Sequence, residues 1–253
     1  MTARTAVITQ PTYMPWLGYF EQIANADVFV FLDTVQFVAR SWHNRNRLKG
    51  SDGQHFWLTV PIAAHPQATR LVDIRISADQ RQWRLKHLRS IQTHLGSAPY
   101  FQDVFPKLEE WITGEYEYLV DLNMAGIRMV SNLLELFPRF VRASELTPEG
   151  HKSSLLASLC KQVNANRYYS SAGSKVYMEE ENYPFAEAGI EVVYQAWEHP
   201  MYVQRGVDFI SHLSVVDALM NIGPQAARSL IKDKGEVVVE NATYQDSRSA
   251  HWS

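Results

Sequence analysis

The sequence is poor in cysteine, in long apolar runs and in net charge, and each shortage excludes something. Cys160 is the one cysteine. A single thiol forms no internal disulfide, so a reducing, cytoplasmic setting is expected. No apolar run reaches the roughly 18 residues that span a bilayer, so membrane insertion is not expected. The opening MTARTAVITQ has no apolar stretch ahead of a small-residue cleavage site, and no signal peptide is expected. The formal net charge is −3, too little positive field to hold a nucleic-acid backbone. Neither GxGxxG nor GxxxxGK[ST] occurs, so there is no dinucleotide fingerprint and no P-loop. The histidines show no HExxH or paired ligand spacing, and no metal site is expected. GxSxG is missing too, which argues against covalent hydrolase chemistry. The residues point to no particular cofactor.

What is present reads as a mixed α/β chain. Apolar residues make up 46% and charged residues 20%, enough core-forming material to exclude wholesale disorder. Thr5–Thr9 reads as a buried strand, Tyr19–Ala24 as a short helix and Asp27–Leu32 as a strand buried on both faces. Strand, helix and strand in this order predict a βαβ unit in a mostly parallel sheet, with ligands gathering at the strands' carboxyl ends. Residues 34–53 read as polar and irregular. Phe56–Pro61 and Leu71–Ile76 read as strands. Gln80–Leu95, Phe105–Thr113 and Tyr116–Phe137 read as helices. Ser153–Val163 reads as a helix capped by Ser153, with Cys160 an apolar residue on it. Arg167–Ser171 and Ile190–Trp197 read as strands. Ser214–Ile222 reads as a helix capped by Ser214 and ended by Gly223-Pro224, before a second short helix over Gln225–Lys232. The expected organisation is one α/β domain over residues 1–240, with a helical insertion near 80–137 and a polar tail over 241–253.

Three polar-aromatic segments, residues 10–49, 83–101 and 168–221, are candidates for a site. The densest is SWHNRNRLK, which places Trp42, His43, Asn44, Arg45, Asn46, Arg47 and Lys49 within nine residues. Arginine and lysine chelate phosphate or carboxylate, and interleaved amides fix orientation. A solvated basic loop is the plainer alternative. The loop QPTYMPWLG is stiffened by two prolines and offers Gln10, Tyr13 and Trp16 as a ligand wall. Asp33, with Gln36 beyond it, ends a buried strand where a general base could sit, or where an aspartate merely forms a turn. His87 shares a helical face with Trp83 and is a candidate acid or base, though a lone helical histidine is often structural. In YSSAGSKVYM, Ser170, Ser171 and Ser174 could cradle an anion or simply cap a helix. Toward the C-terminus, His199, Tyr202 and Gln204 are polar candidates. Asp217 and Asn221 share one face of an apolar helix and need partners or a ligand.

Taken together, these stretches resemble a family. QPTYMPWLGYF, DVFVFLDTVQF, SWHNRNRLK and WLTVPI look like the opening of WbqC-like proteins. WRLKHLRSIQTHLGSAPYF, RYYSSAGSKVYM and HLSVVDALMNIGP agree with it, so the resemblance spans roughly residues 5–225. It implies a context in surface-polysaccharide and other biosynthetic clusters rather than a reaction. Thr34 and Ser171 depart from the pattern the family suggests. The order strand, PTxM, GY-helix, strand is also similar to the start of pantothenate synthetases, but WLGYFE stands where those enzymes carry HxGH. That likeness implies a Rossmann-like fold more than ATP chemistry.

The expectation is an enzyme transferring an acyl or aminoacyl group to a small polar metabolite, such as an activated amino sugar or amino-acid conjugate. Arg45, Arg47 and Lys49 would hold an anionic group. Asp33, His87 or His43 would manage the proton, and Tyr13 and Trp16 would wall the pocket. The alternative is a non-catalytic binding or scaffold protein of a biosynthetic complex. The sequence is compatible with a homodimer.

Overall fold

The computed structural model describes residues 3–80, 82–174, 183–232 and 236–238. The tail expected over 241–253 and the stretch Lys175–Met178 lie outside the described residues.

Its centre is a six-stranded sheet. In chain order the strands are β1 (Thr5–Thr9), β2 (Val28–Phe31), β5 (Arg139–Arg142), β6 (Arg167–Ser170), β7 (Glu191–Gln195) and β8 (Glu236–Val238), and they lie side by side as β5-β2-β1-β6-β7-β8. The first five are parallel, and β8 closes the edge antiparallel. This is the doubly wound Rossmann order. A separate antiparallel hairpin joins β3 (Arg45–Lys49) to β4 (His55–Thr59).

The strands are apolar on both sides because both faces are covered. Val7, Phe29, Phe31 and Val193 enter one cluster, with residues of helices α1 (Leu17–Ala24), α2 (Trp83–Leu95), α3 (Phe101–Thr113), α4 (Leu119–Leu133) and α7 (Val215–Lys232). Ala6, Ile8, Val28 and Val30 enter the other, with α5 (Lys152–Gln162) and α6 (Tyr183–Glu187). Each large apolar side chain sealed this way contributes about 1.5–3 kcal/mol. Cys160 is also buried in the second cluster, and burial pushes its thiol up to about 12. Helices α2–α4 lie between β4 and β5 and pack into the first cluster.

Three local expectations are corrected. Residues 45–49 form a strand, because Asn46 and Leu48 are buried while Arg45 and Arg47 turn outward. Leu71–Asp73 is a 3₁₀ turn closed by the Ile74 and Asp73 amides on Leu71 and Arg70 carbonyls, so LVDIRI is not a strand. Helix α5 begins at Lys152, with the His151 amide donating to Ser154 Oγ at 2.9 Å, and Ser153 is buried inside it. Ser214 does accept the Val216 amide at 3.3 Å. Gly223 breaks α7 at φ 81, where a Cβ would meet the Tyr100 ring at 2.6 Å.

Candidate functional site

A cleft of about 530 Å³ opens at the carboxyl ends of β1 and β6. These neighbours lead to opposite halves of the sheet, so the cleft sits at the topological switch point, where open α/β sheets bind ligands. Thr9 and Gln10 come from the end of β1, and Tyr19 and Gln22 from α1. The β1–α1 loop supplies Thr12 and Trp16. Ser170 ends β6 and Ser171 and Ser174 follow it, Trp42 and Asn46 come from the hairpin arm, and His212 precedes α7. The arm and the serine loop, about 125 residues apart in the chain, thus line one cavity. No Asp, Glu, Lys or Arg is among the described residues that line it.

The β1–α1 loop owes its shape to amides beneath it. Asn46 Nδ2 donates to the Tyr13 and Met14 carbonyls, and Asn123 Nδ2 to those of Pro11 and His43. The Trp16 indole lies across Gly18, where a Cβ would stand 2.2 Å from its Cη2.

Gln10 is set by His43. The Val38 amide donates to His43 Nδ1 at 3.2 Å, which places the ring proton on Nε2, 2.7 Å from Gln10 Oε1. Burial holds His43 below the usual histidine range, so it stays neutral and keeps this tautomer. The Gln10 amide nitrogen has no hydrogen-bond partner among the described residues and is available to a ligand. Behind the cleft, Gln22 donates to Gln195, which donates in turn to the buried Glu21 carboxylate, also reached by Tyr169. Ser170 and Ser174 hydroxyls share a bond of 2.6 Å.

Several predicted site residues lie elsewhere. Asp33 is fully buried between the Arg142 guanidinium and the Ser144 amide and hydroxyl, tying the end of β2 to the end of β5. His87 accepts from Tyr13 Oη at 2.9 Å and donates to the Thr59 carbonyl, and burial lowers it to about 4. Tyr13 is therefore a core residue rather than a wall. Gln36 is exposed and bonds the Gln67 carbonyl. Asn44 donates to the Val60 carbonyl inside the fold. The cations of the arm hold protein groups. Arg45 stacks over Trp57, Arg47 reaches the Ser211 carbonyl, and buried Lys49 donates to the Asp208 carbonyl.

The segment from His199 to Ser214 is braced internally. Gln204 exchanges two bonds with Ile210, and Tyr202 donates to Asp217 Oδ2 at 2.9 Å. Burial pushes Asp217 up to about 6, against the opposing Tyr202 hydrogen bond and Lys49. His199 stacks on Trp16 with both ring nitrogens engaged, and burial followed by the His212 charge lowers it to about 4. His199, Tyr202 and Gln204 therefore support the wall that carries His212. His212 itself went unread in the sequence, as did Thr9, Thr12, Tyr19 and Gln22. Gln22 had one signal, a glutamine beside a glutamate in the helix after the first strand.

Fold and cleft define a Rossmann-like α/β protein with a neutral, polar-aromatic cavity at its switch point. The chain belongs to the WbqC-like protein family, whose model matches residues 10–229. A protein of Mycobacterium tuberculosis, described as uncharacterized protein Rv1507c, is 28% identical over 225 residues, covering 88% of this chain and 96% of that one. No solved structure matches. Among the described residues, no helix is long and apolar enough to cross a membrane, and no group of three or more His, Cys, Asp or Glu is placed to hold a metal.

Proposed function

We propose that the chain binds a small polar metabolite, an activated amino sugar or amino-acid conjugate, in this cleft and transfers an acyl or aminoacyl group to its amine. The observation carrying this reading is the cavity between Trp16 and Trp42, lined by amides and hydroxyls. Flat aromatic faces beside neutral donors and acceptors suit a sugar ring or an amide-bearing ligand. In the transfer the amine nitrogen attacks the acyl carbon of a thioester or acyl phosphate. The C–N bond forms and the bond to the leaving group breaks. His212, the histidine lining the cleft, takes the amine proton, and Gln10 orients the acceptor through its free amide nitrogen.

The test is mass spectrometry on purified protein incubated with activated amino sugars and acyl thioesters. The expected result is a product heavier by one acyl group, lost in Trp42→Ala and reduced about 10²-fold or more in His212→Gln. No product from any donor, with ligand binding intact, would remove the transferase half. The binding-only alternative has one observation in its favour: Asp33 and His87 have their polar atoms committed to the fold. It predicts binding that Trp42→Ala abolishes and turnover that never appears.

A further inference from the structure

Trp42 belongs to two environments. It lines the cleft, and its ring also lies 5.6 Å from that of Trp57 on the hairpin, tilted by 31°. Both indoles are unusually open for their size, Trp42 at 47% and Trp57 at 41% exposure. The Arg45 guanidinium sits 4.3 Å over the Trp57 ring, and no carboxylate pairs with it among the described residues. The pairing register explains the grouping. Arg45 faces Thr59 and Arg47 faces Trp57, so both arginines and Trp57 share the outward face of the hairpin. Asn46 and Leu48 occupy the inward face, and five residue pairs join the two strands.

The cleft itself offers no cation for a phosphate, whereas this adjoining platform has a guanidinium and two stacking rings. The geometry points to a second subsite on the hairpin, Trp42–Trp57–Arg45, that takes the nucleoside diphosphate of a nucleotide-activated sugar while the sugar enters the cleft. This rests on the proposed reading of the cleft. Indole faces accept any base by stacking, and a guanidinium pairs with phosphate oxygens through its N–H edge. The exposed parts of the Trp42 and Trp57 indoles and the edge of Arg45 are the surfaces that bind. A second protein molecule or an uncharged glycan would use the rings and leave Arg45 without a role.

Calorimetry on the full chain separates the two sites, with uridine and guanosine diphosphates probing the platform and free glucosamine probing the cleft. Wild-type protein is expected to bind both classes. Trp57→Ala, at an exposed position, and Arg45→Gln, at a half-buried one, should each weaken diphosphate binding about tenfold and leave glucosamine binding unchanged. Uridine should bind more weakly than its diphosphate in the wild type and equally in Arg45→Gln. Diphosphate affinity unchanged in Trp57→Ala, or displacement of the diphosphate by a neutral oligosaccharide, would overturn the subsite. Diphosphate binding that depends on Trp57, with no glucosamine binding at all, would support the platform and sink the reading of the cleft instead.

Discussion

Asn46 donates its side-chain amide to the carbonyl of Met14 across 2.7 Å, and the same nitrogen reaches the Tyr13 carbonyl at 3.1 Å. Met14 stands at φ 46, a left-handed conformation in which a side chain costs about 1–2 kcal/mol. A buried strand amide therefore holds a strained turn, and that turn carries Gln10, Thr12 and Trp16 to the cleft. Asn46→Ala leaves two buried carbonyls without this donor and should cost about 2–4 kcal/mol in urea unfolding. Ligand binding should fall with it. A loss below about 0.5 kcal/mol, within the range of ordinary surface substitutions, would show that the loop keeps its shape unaided.

Gly18→Ala separates helix propensity from packing. Alanine in place of glycine inside α1 would by itself add roughly 1 kcal/mol. At Gly18 the new methyl carbon meets the Trp16 indole at 2.2–2.5 Å, so the ring must move off its stack on His199 and its tilted contact with His212. The expected outcome is an altered near-ultraviolet tryptophan signal and weakened ligand binding, with far-ultraviolet helicity unchanged. An unaltered tryptophan signal would mean that the indole does not rest on Gly18.

Much of the fold was legible because its signals are apolar and periodic. β1, β2, β6 and β7 are runs that only a doubly covered sheet can bury, and Gly223-Pro224 does break α7. Of the hairpin, β4 was read as a strand, but β3 escaped because its inward face includes Asn46, so alternation failed as a hydrophobic signal. LVDIRI misled for the opposite reason: its apolar residues fill a core from a 3₁₀ turn. Within the site, Gln10, Trp16, Trp42, Asn46 and the three serines do line the cleft. His43 touches it only through Gln10. Asp33 and His87 had the right chemistry in the wrong place, since a lone titratable residue in a sequence does not reveal whether tertiary partners consume it. The arginines of the arm read as ligand anchors, yet Arg47 meets a backbone carbonyl that no sequence pattern announces.

Arg142→Met tests the buried pair. Asp33 keeps its carboxylate under cover because Arg142 Nε stands 3.0 Å from Oδ2 and Ser144 supplies two further donors. Removing the guanidinium strands a buried charge and should cost about 3–5 kcal/mol. The double variant Asp33→Asn with Arg142→Met should recover a large part of that loss, because no charge remains inside. Equal stability of single and double variants would mean that Ser144 alone satisfies Asp33.

The pH dependence of stability follows from groups pulling in opposite directions. His87 is held at about 4 in the folded chain, below its ordinary 6.5. As pH falls from 6.5 towards 4, the unfolded chain takes up a proton that the folded chain refuses, and stability is lost. His43 acts in the same direction. Asp217 is raised to about 6 from 3.8, so over a similar window the folded chain takes up the proton first and stability is gained. Each proton of difference tilts the stability curve by about 1.4 kcal/mol per pH unit. Urea unfolding at pH 7, 6 and 5 should therefore show His87→Asn losing less stability on acidification than the wild type. Asp217→Asn should lose more, because the offset is gone. Two variant curves running parallel to the wild type would refute the assignment of both groups. An Asp217→Asn slope shallower than that of the wild type would mean that Asp217 is held ionised by Lys49 rather than raised by its burial.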